Sequence, residues 1–214
     1  MKKILKRTFW AAVLLMSVGY QSAMAQTDVP KVELGAHYTV MRLRALSPLN
    51  SPVLNIVLPE YTVADSGVGG RITFNLTNHI AIEGEFNFFP EERVNFAEQF
   101  YLNSRRYQGL AGVKAGLRGD NLGVFGKARP GFMHFGEGTP DPRIQTLVTV
   151  PATAKSTEFA LDLGGVLEFY PSRHTVVRFD IGDTIIRYGK GPVSGRPANT
   201  THNLQMSFGA GFRF

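Results

Sequence analysis

The chain has 214 residues, 23 Lys and Arg against 17 Asp and Glu for a formal charge of +6, and no cysteine. Four of the basic groups (Lys2, Lys3, Lys6 and Arg7) and no acid fall in the first 25 residues, so the remainder carries only +2, which excludes the one-sided charge of a nucleic-acid binder. The missing cysteine excludes disulfides, thiolate metal sites and a lipid-modified N-terminal cysteine.

The first predicted element is a secretory signal peptide over residues 1–25. Its basic start is followed by the apolar stretch Phe9 to Met16 and by Ala23-Met24-Ala25. The apolar part is shorter than the roughly 20 residues of a spanning helix, so cleavage after Ala25 is expected, leaving one domain over 26–214.

From residue 32 onward the dominant pattern is strict alternation, the signature of strands with two unlike faces. Eight strands are predicted. In Val32–Arg42, Leu34, Ala36, Tyr38 and Val40 oppose Glu33, His37 and Thr39. In Gly67–Thr77, Ile72 and Phe74 oppose Arg71 and Thr73; in Ile80–Phe89, Ile82, Phe86 and Phe88 oppose Glu83, Glu85 and Asn87. In Arg105–Arg118, Tyr107, Val113 and Leu117 oppose Arg106, Gln108, Lys114 and Arg118; in Leu122–Phe135, Val124, Pro130 and Phe132 oppose Phe125, Lys127 and Arg129. In Ser156–Tyr170, Phe159, Leu163 and Phe169 oppose Glu158, Asp162 and Glu168; in His174–Arg187, Phe179 and Ile181 oppose Arg178 and Asp180. In His202–Phe214, Leu204, Met206, Phe208, Phe212 and Phe214 oppose Gln205, Ser207 and Arg213.

The connections alternate in length. Three are tight, at residues 77–79, 119–121 and 171–173, and four are long, over 43–66, 90–104, 136–155 and 188–201. Two long ones contain apolar runs, Val53–Leu58 and Leu147–Val150, read as strand extensions with a plug as the alternative. Short turns on one side and long loops on the other are the pattern of an all-β, eight-stranded, antiparallel up-and-down transmembrane barrel. A water-soluble barrel or sandwich shares the period of two. Alternating loop lengths and glycines beside charged neighbours favour the membrane version.

In that register one face collects Glu33, Glu83, Glu85, Glu158, Asp162, Glu168 and Asp180 with Arg71, Arg106, Lys114, Arg118, Lys127, Arg129, Arg178 and Arg213. Each Arg or Lys turned to lipid at mid-depth would cost about 2–4 kcal/mol, so this face is predicted to line the lumen. Seven acids against eight bases predict a paired, nearly neutral interior that fills the narrow barrel and blocks a pore.

These features, with Arg178-Phe179-Asp180-Ile181-Gly182-Asp183 and the closing Phe208 to Phe214, resemble the outer-membrane β-barrel superfamily that includes the OmpA transmembrane domain. The resemblance implies an outer membrane of the Gram-negative type, lipid as surroundings, and the barrel-assembly machinery as a partner reading Met206, Phe208, Phe212 and Phe214. The periplasmic peptidoglycan-binding domain of OmpA has no counterpart in this sequence, which argues against a role in cell-wall anchoring.

Some small barrels of this kind modify lipid A, yet none of His37, His79, His134, His174 and His202 stands in a His-x-Ser pattern. A rim pair of His134 or His202 with Glu137 is the nearest approach to a catalytic arrangement. Histidines and carboxylates lack ligand spacing, and the glycines lie in strands rather than in a phosphate-binding turn. The expectation is a protein that is not an enzyme, with no metal and no cofactor. Its function would be envelope integrity and surface contacts, including an extracellular ligand held by four outer loops. A small ion-conducting channel is the alternative, and a lipid A-modifying enzyme ranks third.

Overall fold

The structure, a computed structural model, describes residues 29–45, 61–90, 105–137, 155–189 and 198–214. The predicted signal peptide and both apolar loop runs lie outside the described residues. Eight antiparallel strands close into one barrel, each bonded to its sequence neighbours and β1 bonded to β8. They are β1 (Val32–Ala45), β2 (Tyr61–Asn75), β3 (Ile80–Phe89), β4 (Arg106–Arg118), β5 (Leu122–Phe135), β6 (Ser156–Ser172), β7 (Thr175–Tyr188) and β8 (Asn199–Arg213).

Several predicted boundaries move, among them the start of β8, at Asn199 rather than His202, and the ends of two connections. Residues 43–66 were expected as loop, but β1 runs to Ala45 and β2 starts at Tyr61, because the pleat continues through Ala64, Asp65, Ser66 and Gly67. The third tight turn was expected at 171–173. Instead β6 continues to Ser172 across an irregularity between Phe169 and Ser172, and the chain reverses at Arg173-His174. There Ser172 Oγ accepts from His174 N at 3.2 Å, as Thr77 Oγ1 accepts from His79 N at 3.1 Å in the first turn. Both are side-chain-capped reversals that need no extra residues.

The register fixes the barrel's size. Following paired residues from Thr157 in β6 through His134, Tyr107, Phe88, Val68, Tyr38, Phe208 and Phe179 returns to β6 at Leu167, a stagger of ten residues. For eight strands that stagger corresponds to a tilt of about 40° and an interior filled by side chains. Space is tight enough inside to require glycine. A Cβ on Gly69 would lie 2.1 Å from Asn87 Oδ1, and one on Gly209 would lie 2.2 Å from Ala36 O.

Burial alternates as the sequence predicts, with the apolar set outside. Phe208 and Phe212 are 61% and 66% exposed, whereas Glu83, Lys114, Asp162 and Glu168 are fully buried. An apolar wall of this extent is stable only against hydrocarbon. Phe179→Arg, on the outer face at mid-depth, is expected to destabilise the folded barrel by about 2–4 kcal/mol in denaturant titrations in lipid vesicles. Arg substituted instead at Thr175, beside the turns, should cost about 0–1 kcal/mol.

Candidate functional site

The chemistry of this barrel is concentrated in its lumen, which is stacked in layers between the turn end, where the tight turns lie, and the loop end. At the centre, Arg178 donates through Nε and Nη2 to Asp180 at 2.8 and 2.7 Å, through Nη2 to Glu83 Oε2 at 2.9 Å, and through Nη1 to Glu168 Oε1 at 3.2 Å and to Glu83 Oε1. Arg129 bridges Asp162, at 2.9 Å from Nε and 2.6 Å from Nη2, and Glu85, at 2.6 Å from Nη1. Lys114 lies 2.5 Å from Glu168, Lys127 stands between Asp162 and Asp180 at 3.0 and 3.3 Å, and Arg71 reaches Asp180 at 3.3 Å. Each buried charge here faces at least one opposite charge, the condition under which burial is tolerated.

Above this lies a layer of neutral polar groups that the sequence reading left aside. Gln108 and Gln205 exchange two amide bonds of 3.1 Å, and Asn87 donates to Gln108 Oε1 at 2.7 Å. Thr184 donates to Gln205 Oε1 at 2.7 Å, and Ser207 to Thr39 Oγ1 at 2.9 Å. His37, also assigned no role from sequence, points inward with Nε2 2.6 Å from Asn87 Oδ1 and 3.7 Å from Glu85. These inward positions were legible from the alternation; their partners on distant strands were not.

The next layer is apolar. Met41, Leu43, Phe89, Leu110, Met133, Ala160 and Ile186 form one buried cluster, with Phe135 and Tyr188 packed against it, their ring centroids 5.7 Å apart. Beyond it Arg106 pairs with Asp65 and lies over the Phe135 ring, and Glu158 Oε2 accepts from Gly189 N at 2.9 Å. Asp65, placed in a loop by the sequence reading, is thus an eighth inward acid facing the eight bases. At the turn end Glu33 meets Arg213 and Arg118, at 3.2 and 3.5 Å.

All fifteen charged residues assigned to the lumen from sequence therefore lie on the inward face. Met206, Phe208, Phe212 and Phe214 lie outward at 40%, 61%, 66% and 67% exposure. The rim pair with Glu137, weighed and set aside from sequence, does not form: His134 Nδ1 lies 2.8 Å from Thr157 Oγ1, and His202 Nδ1 lies 2.5 Å from Asp183 Oδ2. Each histidine meets the strand bonded to its own, because cross-strand neighbours are nearer than a residue past the strand end.

The model of the outer membrane protein beta-barrel domain family matches residues 11–214. No curated protein matches the sequence. The attachment invasion locus protein Ail of Yersinia pestis, solved with the heparin analogue sucrose octasulfate, is similar in fold at 14% identity, covering 86% of this chain and 99% of that one with a TM-score of 0.52. OprG of Pseudomonas aeruginosa is similar at 12% identity, covering 87% and 96%, with a TM-score of 0.52. Neisserial surface protein A is similar at 11% identity, covering 86% and 97%, with a TM-score of 0.51.

Proposed function

The chain belongs to the outer membrane protein beta-barrel domain family, and from that membership we propose that it is a closed, non-enzymatic outer-membrane barrel, supporting envelope integrity and making surface contacts through four extracellular loops. The observation that carries the reading is the layered filling of the lumen: a paired charge layer backed by the apolar cluster around Met41, Met133 and Ile186. An ion crossing it would have to separate buried pairs and then shed its water against hydrocarbon. With the interior so occupied, contacts fall to the loops carried on the rigid strands.

In this reading residues 1–25 direct export and are removed by cleavage after Ala25, and the barrel-assembly machinery reads Met206, Phe208, Phe212 and Phe214. Those side chains serve lipid contact afterwards. The loop chemistry of this chain is its own. Residues 91–104 carry Glu91, Glu92 and Glu98 against Arg93, so a polysulfate of the kind bound by Ail is not the ligand expected of that segment.

Shortening residues 46–60, 91–104, 138–154 and 190–197 to tight turns should leave heat-modifiable migration on gels intact and abolish binding of cells to host surfaces. Binding that survives the shortening would remove the loops as the contact site. As a further check, lipid A acylation in cells expressing the protein should match that of cells lacking it. A difference abolished by His202→Ala would instead make the Asp183–His202 pair catalytic.

A further inference from the structure

The lumen's charges cancel in sum but not layer by layer. Glu83, Glu85, Asp162, Glu168 and Asp180 balance Arg71, Lys114, Lys127, Arg129 and Arg178 at the centre. At the loop end Asp65 pairs with Arg106, and Glu158 accepts from Gly189 N; at the turn end Glu33 faces both Arg118 and Arg213. Counting side chains alone, the turn-end layer thus has one cation more than it has anions. Lys31, Arg173 and His174 are exposed around it, and Asp120 is the one acid in the tight turns among the described residues.

The two arginines compete for the same atom. Arg118 Nη2 and Arg213 Nε both approach Glu33 Oε1, which also accepts from Asn75 Nδ2 at 2.9 Å. Their guanidiniums lie against the Tyr170 ring, 5.6 and 4.2 Å from its centroid. Arg118 donates through Nε to Tyr170 OH at 3.0 Å and through Nη2 to Asn75 Oδ1 at 2.9 Å, and it lies 3.7 Å from Glu168. Among the described residues its Nη1 has no hydrogen-bond partner, and the side chain is only 6% exposed. A desolvated guanidinium edge with an unused donor is suited to an oxyanion, and the surplus charge of the layer favours one.

We propose that the turn-end mouth of the lumen is an oxyanion site, in which Arg118 and Arg213 take one carboxylate or phosphate group presented from the periplasm. Tyr170 holds the two guanidiniums side by side, and Glu33 is the internal competitor for them. The same chemistry serves a free ion or a group carried on a cell-wall polymer.

The test uses the full chain folded in nanodiscs of zwitterionic lipid, titrated calorimetrically at constant ionic strength with inorganic phosphate and, separately, with a soluble carboxylate-bearing cell-wall fragment. Saturable binding of one group per barrel is expected, weakened about tenfold or more by Arg118→Gln. Arg173→Gln, in the exposed turn, should leave it unchanged. Glu33→Gln should tighten it, an effect that damage to the fold does not produce. Arg118→Lys keeps the charge and should retain weaker binding, covering the case in which Arg118→Gln fails to fold. Tighter binding of the fragment assigns the polymer, and phosphate binding as tightly or more so assigns the free ion. No saturable binding of either, or equal affinity in wild type and Arg118→Gln, would overturn the site.

Discussion

Arg178→Leu is expected to destabilise the barrel by about 3–5 kcal/mol, because it removes one partner of a buried ionic cluster and leaves the other charges in place. Arg178 is 1% exposed and is the shared partner of Glu83, Glu168 and Asp180, which come from β3, β6 and β7. Lys114 and Lys127 can each take up only part of the resulting negative charge, since Lys114 already meets Glu168 and Lys127 already meets Asp162. Denaturant titration in vesicles, read by heat-modifiable migration, measures the loss. Adding Glu83→Gln to Arg178→Leu should recover part of it, since the second change removes a charge that the first has orphaned. A double variant no more stable than the single one would mean that Arg178 acts by filling space.

The second large effect is expected in the apolar layer. Met41 and Met133 are both fully buried in it, on β1 and β5, and each truncation to Ala removes buried side-chain volume from a closed space. The rigid cylinder of strands cannot collapse onto the gap, so each substitution should cost about 2–5 kcal/mol, towards the upper end of that range. Replacing Met133 by Leu, of similar volume, should cost less than about 1.5 kcal/mol. The same denaturant titrations decide the matter. The double Met41→Ala, Met133→Ala variant also thins the layer that separates the polar lumen from the loop end, and it should admit water as far as the neutral polar layer.

Much of this was legible in the sequence because a barrel converts alternation directly into inside and outside. The separation of Glu83 from Phe86, or of Arg129 from Phe132, onto opposite faces follows from a period of two, and the membrane reading follows from the alternating loop lengths and the glycines beside charged neighbours. Vertical order within the lumen was less accessible. Met41, Phe89, Met133 and Ile186 sit at inward positions in the sequence as plainly as the charges do, yet their meeting in one layer depends on the ten-residue stagger from Thr157 to Leu167. Pairings such as Arg178 with Glu83 join residues 95 apart and are fixed by that same stagger. Asp65 escaped because its strand begins among residues whose alternation is weak on the outer side, where Ala64 and Ser66 are small or polar. At the rim, His202 finds Asp183 through the β7–β8 ladder, which composition alone does not reveal.

In the proposed closed barrel, a paired charge layer and an apolar layer seal the lumen in series. Single-channel recording of the purified full chain in planar bilayers tests this seal most directly. No steady conductance is expected from the wild-type barrel, nor from the variant with Met41 and Met133 both truncated, in which the paired charge layer still closes the lumen. Steady, reproducible conductance steps from the pure wild-type protein would contradict the account and make the barrel a channel.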